Sequence, residues 1–263
     1  MARYCPLFSG SSGNCTYVGT ANGGVLVDAG VSAKRIETAL REREIDPASV
    51  RAVLVTHEHR DHVAGLRVLL KRFHYPVYAS RGTWQSLLED GILGEGDLGA
   101  MLEPGECEIA DMRVKAFHTS HDCAESMGFC FQTPDDRRIA VATDMGMMTE
   151  EVREALTGCD LIHLESNHVV RMLECGPYPY PLKRRILSEK GHLSNEDCAQ
   201  ELQGFARKGT SRFVLAHLSR ENNTPELAYL TARTALCGDG LREGTDFLLK
   251  VASPQGGCEM VVF

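Results

Sequence analysis

The sequence has no run of 18 apolar residues, and its start, Met1-Ala2-Arg3-Tyr4-Cys5-Pro6, has no apolar leader core. Neither a membrane-spanning helix nor a secretory signal is therefore expected. No low-complexity segment or linker interrupts the 263 residues, which suffice for one large domain spanning 1–263. Ten cysteines are present, yet none forms a Cys-x-x-Cys pair and none sits at zinc-finger spacing. The expectation is a cytoplasmic protein whose thiols stay reduced, mostly buried as small apolar groups. Positive charge is also short, with a net charge of −8 at pH 7. That argues against a nucleic-acid coat protein, but not against a nuclease, because bound metal ions supply local positive charge. The basic clusters at Lys183-Arg184-Arg185 and around Arg207, Lys208, Arg212 and Arg220 are either one confined binding face or ordinary solvated helix surface.

What is present centres on Ala52-Val53-Leu54-Val55-Thr56-His57-Glu58-His59-Arg60-Asp61-His62-Val63-Ala64-Gly65. An apolar, β-branched run reads as a buried strand, and it breaks into three histidines and an aspartate before helical spacing resumes at Val63. Residues two apart in an extended segment face the same side, so His57 and His59 can converge on one ion. Asp61 and His62 fall in the loop or first helical turn and face a second. Imidazole and carboxylate suit zinc, manganese or iron better than calcium.

The same pattern of apolar strand and terminal ligand recurs along the chain. Strands are expected at 3–8, 14–19, 24–30, 77–79, 112–118, 128–133, 138–143, 161–165, 213–216, 247–251 and 259–263. Helices are expected from a cap at Ser32, after His62 to about Arg72, and at 82–90, 150–156, 180–190, 194–206 and 225–236. Ser9-Gly10-Ser11-Ser12-Gly13-Asn14 joins the first two strands as a Gly/Ser turn suited to tight turning or to holding an anion. Asp28 ends the third strand, as a helix cap or as a partner to a metal-ligating histidine. Met112–His118 delivers two candidate ligands, His118 and His121. Ala140-Val141-Ala142-Thr143-Asp144 offers a carboxylate able to bridge two ions, and Val214-Leu215-Ala216-His217 a last imidazole. Two similar blocks of strands and helices fit an α/β fold of two facing sheets with helices outside, a four-layer αββα sandwich.

His-x-His-x-Asp-His after an apolar strand resembles the signature of the metallo-β-lactamase superfamily. Leu7-Phe8-Ser9-Gly10-Ser11-Ser12-Gly13-Asn14-Cys15, Glu165-Ser166-Asn167-His168, Gly191-His192-Leu193-Ser194-Asn195 and His217-Leu218-Ser219-Arg220-Glu221-Asn222-Asn223-Thr224-Pro225 resemble motifs of its YycJ/WalJ exonuclease group. The resemblance favours His121 over His118, and implies His57, His59, His121 and Asp144 around one metal and Asp61, His62, Asp144 and His217 around the other. It implies that Asp28 lies beside the metals without being a main ligand. It further implies a two-metal phosphodiesterase, acting 5′→3′ on double-stranded DNA with a metal-bridging hydroxide as nucleophile. Asp61 is expected to orient or deprotonate that water, and His192 to protonate the leaving oxygen or contact phosphate, with His168 and Asn167 the next candidates. Ser194 and the helix start after it are candidates for holding a phosphate, and Asn223 for a supporting or substrate contact. Cys123, where the group pattern carries alanine, and Val169, where it often carries an acid, are departures. The alternatives are a small-molecule phosphodiesterase of cyclic-nucleotide or phosphonate type and a metal-binding regulator without catalysis. Metal identity (Zn²⁺, Mn²⁺ or Fe) and oligomeric state, a homodimer included, are left open by the sequence.

Overall fold

Each half of the chain starts with strands joined by short turns and continues with strands separated by helices, and that order dictates the pairing. The computed structural model describes residues 1–94 and 96–263. The first half comprises β1 (Arg3–Phe8), β2 (Cys15–Thr20), β3 (Gly23–Val27), α1 (Ala33–Arg41), β4 (Val50–Leu54), α2 (Arg60–Val63) and α3 (Leu66–Phe73). It ends with β5 (Val77–Ser80), α4 (Arg81–Glu89) and β6 (Gly99–Leu102). The second half comprises β7 (Gly105–Ile109), β8 (Met112–His118), β9 (Met127–Gln132), β10 (Arg138–Ala142), α5 (Glu150–Leu156), β11 (Leu161–Glu165) and α6 (Val170–Cys175). It continues through α7 (Tyr180–Ile186), α8 (Asn195–Arg207), β12 (Arg212–Ala216), α9 (Pro225–Gly238), β13 (Leu248–Val251) and β14 (Val261–Val262).

Two seven-stranded sheets result, ordered β14-β1-β2-β3-β4-β5-β6 and β13-β12-β11-β10-β9-β8-β7. In the first, β1, β2 and β3 are antiparallel and β3 through β6 parallel. In the second, β7 through β10 are antiparallel and β10 through β13 parallel. Tight turns permit the antiparallel pairs, whereas parallel neighbours need a crossover, mostly supplied here by helices.

Period-2 alternation along the central strands separates three apolar layers. Val25, Val27, Ala52 and Leu54 meet Phe129, Phe131, Ile139 and Val141 between the sheets. Leu26, Val53 and Val55 turn the other way, toward Ile36, Leu40, Leu66 and Leu69 of α1 and α3. Ala140, Ala142, Ile162 and Leu164 face Val152, Leu202, Phe205 and Leu236 of α5, α8 and α9. Helix, sheet, sheet, helix is the αββα sandwich read from the sequence.

The differences lie at the edges. β6 and β7 were not expected, and β6 is largely exposed, so it lacks the apolar pattern that marks a buried strand. α6 spans six residues with one buried side chain, Leu173, too short to show a helical stripe. The helix expected to run to Lys190 stops at Ile186. Ser32 stands at the N-cap of α1, but its hydroxyl makes no capping bond. No helix among the described residues is long and apolar enough to cross a membrane. Among the described residues all ten cysteines are free thiols, five of them buried.

Candidate metal centre

The loops that follow β3, β4, β8, β10, β11 and β12 meet at one end of the two sheets. The chain turns sharply there: Asp28, Asp144 and His217 all adopt positive φ, 64°, 57° and 52°. Such backbone is costly for residues with a side chain and clusters at functional sites. All three residues are buried at these turns.

Four groups of ligand-type atoms, each lying within 4.8 Å of one another, converge there. His57, His59 and His121 form one, Asp61, His62 and His217 a second, and His57, His62 and Asp144 a third that joins them. Asp144 Oδ2 is 3.2 Å from His62 Nε2, while Oδ1 is 3.7 Å from His121 Nε2 and 3.3 Å from His217 Nδ1. Asp61 Oδ2 lies 3.5 Å from both His62 Nε2 and His217 Nε2. All seven residues expected to be metal ligands are thus brought together, with Asp144 between the imidazoles of the two halves.

Four of the five imidazoles in the ligand set are held from behind. His62 Nδ1 donates to Asp28 Oδ2 at 2.7 Å, and Asp28 Oδ1 accepts from the Thr56 amide at 2.8 Å. His121 Nδ1 donates to the Gly191 carbonyl at 3.1 Å. His57 Nδ1 pairs with Thr56 Oγ1 at 3.0 Å. His217 Nδ1 donates to Glu165 Oε1 at 2.9 Å. Fixing one ring nitrogen this way presents the other to a metal and strengthens it as a ligand. Three inward-facing atoms, His57 Nε2, His217 Nε2 and Asp144 Oδ2, are buried with no hydrogen-bond partner among the described residues. Buried polar atoms without partners are costly, and a divalent cation would satisfy all three. The residues fit a pair of metal ions.

The electrostatics agree. Burial opposes ionisation of Asp144, yet the imidazoles of His217 and His62 hold its carboxyl well below the usual range. Burial pushes His62 and His217 toward neutrality, but Asp144, with Asp28 beside His62, outweighs it, and His217 is pushed up to about 10. Without a cation, protons on these two rings offset the carboxylates. His57, buried and beside His62, is pushed down and stays neutral.

The sequence reading passed over the role of Glu165. It is fully buried at the end of β11 and accepts four hydrogen bonds, from His192 Nδ1 (2.8 Å), His217 Nδ1 (2.9 Å), the Met145 amide (2.8 Å) and the Leu193 amide (3.3 Å). Burial would raise its pKa, but the charge of His192 and these bonds hold it down. The strand-end rule that marks Asp144 and His217 applies equally to Glu165, because a buried acid at the end of a central strand needs partners. His192 lies in this group, its ring centroid 5.1 Å from His121 and 5.3 Å from His217, and its Nε2 makes no hydrogen bond among the described residues.

The remaining candidates sit behind the centre. Asn167 Nδ2 donates to the His217 carbonyl, and Asn223 Nδ2 to the carbonyls of Ser166 and Asn167. Ser194 is buried and caps α8, its Oγ accepting from the Asp197 amide. These three stitch together the loops that carry His192 and His217. His168, the next candidate for the acid, is buried outside the ligand groups, its ring nitrogens have no partner among the described residues, and burial pushes its pKa down to about 4. His118 is half-exposed and pairs with Glu125, so His121 is the imidazole in the cluster. Cys123 is half-buried, and burial pushes its thiol up to about 12, leaving it protonated.

Comparison with known proteins gives the same answer. Residues 24–218 match the model of the beta-lactamase superfamily domain. The chain is 38 % identical over 256 residues to exodeoxyribonuclease YycJ of Bacillus anthracis, covering 96 % of each. It is 37 % identical over 255 residues to exodeoxyribonuclease WalJ of Streptococcus pneumoniae, covering 96 % of this chain and 94 % of WalJ. Among solved structures, the metallo-beta-lactamase fold protein YhfI from Bacillus subtilis superposes with a TM-score of 0.74 at 13 % identity, each chain covered to 99 %. Zinc-bound PqqB from Methylobacterium extorquens gives 0.73 at 16 %, covering 99 % of this chain and all of PqqB. With this architecture, this match and a site built for divalent cations, the chain belongs to the metallo-β-lactamase superfamily and is a hydrolase of that fold.

Proposed function

We propose that the protein is a two-metal phosphodiesterase that degrades double-stranded DNA from its 5′ end. The observation that carries the chemistry is the set of buried, partnerless ligand atoms converging on Asp144. The relatives named exodeoxyribonuclease support the substrate. His57, His59, His121 and Asp144 would hold one ion, and Asp61, His62, Asp144 and His217 the other. When bound, such ions lower the pKa of a coordinated water toward neutrality and neutralise charge on phosphate oxygens.

The chain's own residues supply the rest. Asp28, Thr56, Glu165 and the Gly191 carbonyl keep the rings of His62, His57, His217 and His121 aimed inward. Asp61, whose side chain is 27 % exposed against 3 % for Asp144, is the carboxylate most open to the cleft, placed to accept a proton from an attacking water. His192, anchored to Glu165 through Nδ1, has Nε2 free to donate a proton to the leaving oxygen. Near the centre, α7 and the loop after it add Arg184, Arg185 and Lys190 on the outer surface. Arg185 pairs with Asp122, next to His121, which holds that guanidinium beside the ligand cluster. Phosphate backbones are bound by such positive surface even when the whole chain is acidic.

The test is digestion of a 5′-labelled duplex by protein reconstituted with Mn²⁺ or Zn²⁺, beside Asp144→Ala. Release of labelled mononucleotide by the wild type, lost in the variant, is the expected result. Intact DNA together with hydrolysis of bis-p-nitrophenyl phosphate would keep the chemistry and replace the substrate with a small phosphodiester. Hydrolysis of neither, with any metal, would sink the reading.

A further inference from the structure

A second cavity, about 530 Å³ in volume, opens next to the metal centre. Ser11 and Ser12 of the β1–β2 loop, Ser32 before α1, Arg35 of α1 and Arg60 at the start of α2 line it, and Asp61 is a wall shared with the centre. In a chain carrying eight surplus negative charges, both arginines here lack an acidic partner among the described residues, and the three serine hydroxyls make no hydrogen bond there. The guanidinium of Arg35 is steadied over the Phe8 ring, 4.5 Å from its centroid.

The frame is rigid and continuous with the ligand loop. The Asn14 amide donates to the Asp61 carbonyl at 2.8 Å, the Gly30 amide to Asn14 at 2.7 Å and the Ala29 amide to His62 at 2.7 Å. A Cβ at Gly30 would sit 1.6 Å from the Asp61 carbonyl oxygen, so the β3–α1 loop and the metal-ligand loop pack backbone against backbone. A group seated by the arginines is thus held at a fixed offset from Asp61. Two unpaired guanidiniums, which only donate, and three free hydroxyls, each able to donate, line that side and match the oxygens of a phosphate.

We propose that this cavity is a subsite for the phosphate next to the scissile one, with Arg35 and Arg60 as its main ligands. The inference rests on the nuclease reading above and names how that site would grip its strand. Two sources of phosphate share the chemistry: the terminal 5′-phosphate of the strand and an internal phosphodiester.

The experiment compares Arg35→Ala, Arg60→Ala and the double variant with wild type on duplexes bearing a 5′-phosphate or a 5′-hydroxyl. Both arginines are exposed, and Arg→Gln versions repeat each test should an alanine variant misfold. Each loss of a charge-assisted contact should cut kcat/KM about tenfold. If the terminal phosphate is the ligand, wild type prefers the 5′-phosphorylated duplex and the double variant loses that preference. If the ligand is internal, both duplexes suffer equally, and the salt dependence of binding flattens by about one phosphate contact per arginine. Lys71→Ala, which removes an exposed charge elsewhere on α3, should keep the wild-type salt dependence. Variants that cut both duplexes within about twofold of wild type, with an unchanged salt dependence, would overturn the subsite while leaving the nuclease reading intact. Failure of that reading looks different: metal-loaded wild type leaves the duplex whole, and the subsite loses its ligand with it.

Discussion

Replacing Glu165 by glutamine probes the support of the centre without touching a proposed metal ligand. Glu165 presents acceptors only, and four N–H donors point at it: His192 Nδ1, His217 Nδ1 and the amides of Met145 and Leu193. Glutamine keeps the shape but turns one of its two acceptor ends into a donor. Whichever way the amide is turned, two of the four donors face another donor. Each buried group stranded in this way costs roughly 1–3 kcal/mol, so the metal-free variant should lose about 2–6 kcal/mol of unfolding free energy. Loss of the carboxylate also frees the His217 ring to rotate, and disruption of such support typically costs about 10–100-fold in metal affinity or activity. Urea unfolding of the chelator-treated protein and competition for Zn²⁺ against a chromophoric chelator measure the two effects. Glu165→Asp keeps the charge one methylene short of both rings and should fall between. Glutamine that left unfolding free energy within about 1 kcal/mol and zinc affinity within about twofold would refute the positioning argument.

Metal loading should compete with protons. His217 is pushed up to about 10, so zinc binding near pH 8 should release protons, and affinity should rise with pH; calorimetry in buffers of different ionisation enthalpy counts them. His163, buried in β11, accepts the Tyr4 hydroxyl proton at Nδ1, and burial pushes it down to about 3. Below pH 6.5 the unfolded chain binds a proton that the folded chain refuses, so stability falls with falling pH until about 3; the loss approaches about 3 kcal/mol at pH 4.5. His163→Gln, which keeps an acceptor and cannot titrate, should remove that part of the acid sensitivity, and urea titrations of both proteins from pH 7.5 to 4.5 check the difference. Gly30→Ala should cost more than about 3 kcal/mol, since its Cβ would collide with Asp61 backbone rather than with a side chain that can move; a thermal midpoint close to that of wild type would contradict the packing.

The sequence carries the fold where burial leaves a pattern. β4 and β10 alternate between two apolar layers, and so read as continuous apolar runs, each ending in its ligands. The proposed ligands are legible for the same reason: a polar residue that interrupts such a run at the sheet's end needs an explanation. β6 left no comparable trace because its residues are largely exposed. β7 does alternate, but with glutamates on its outer face and only Ile109 fully buried.

Glu165 shows where strand-end reasoning stopped short. Leu161-Ile162-His163-Leu164-Glu165 alternates, so His163 and Glu165 share a face with Leu161, and that face is buried between the sheets. A buried face bearing an imidazole and a carboxylate demands partners for both. Tyr4 serves the first and the rings of His192 and His217 the second. Those partners lie 159, 27 and 52 residues away along the chain, and only the folded sheets bring them together. The positive φ of Asp28, Asp144 and His217 is invisible in the sequence for a related reason. No glycine occupies these three positive-φ positions, because each of these side chains is held in the centre, and the surrounding packing enforces a backbone that its own residue disfavours. The centre's geometry is therefore a property of the two sheets meeting: each sheet supplies carboxylates and imidazoles, and neither half-site is complete without the other.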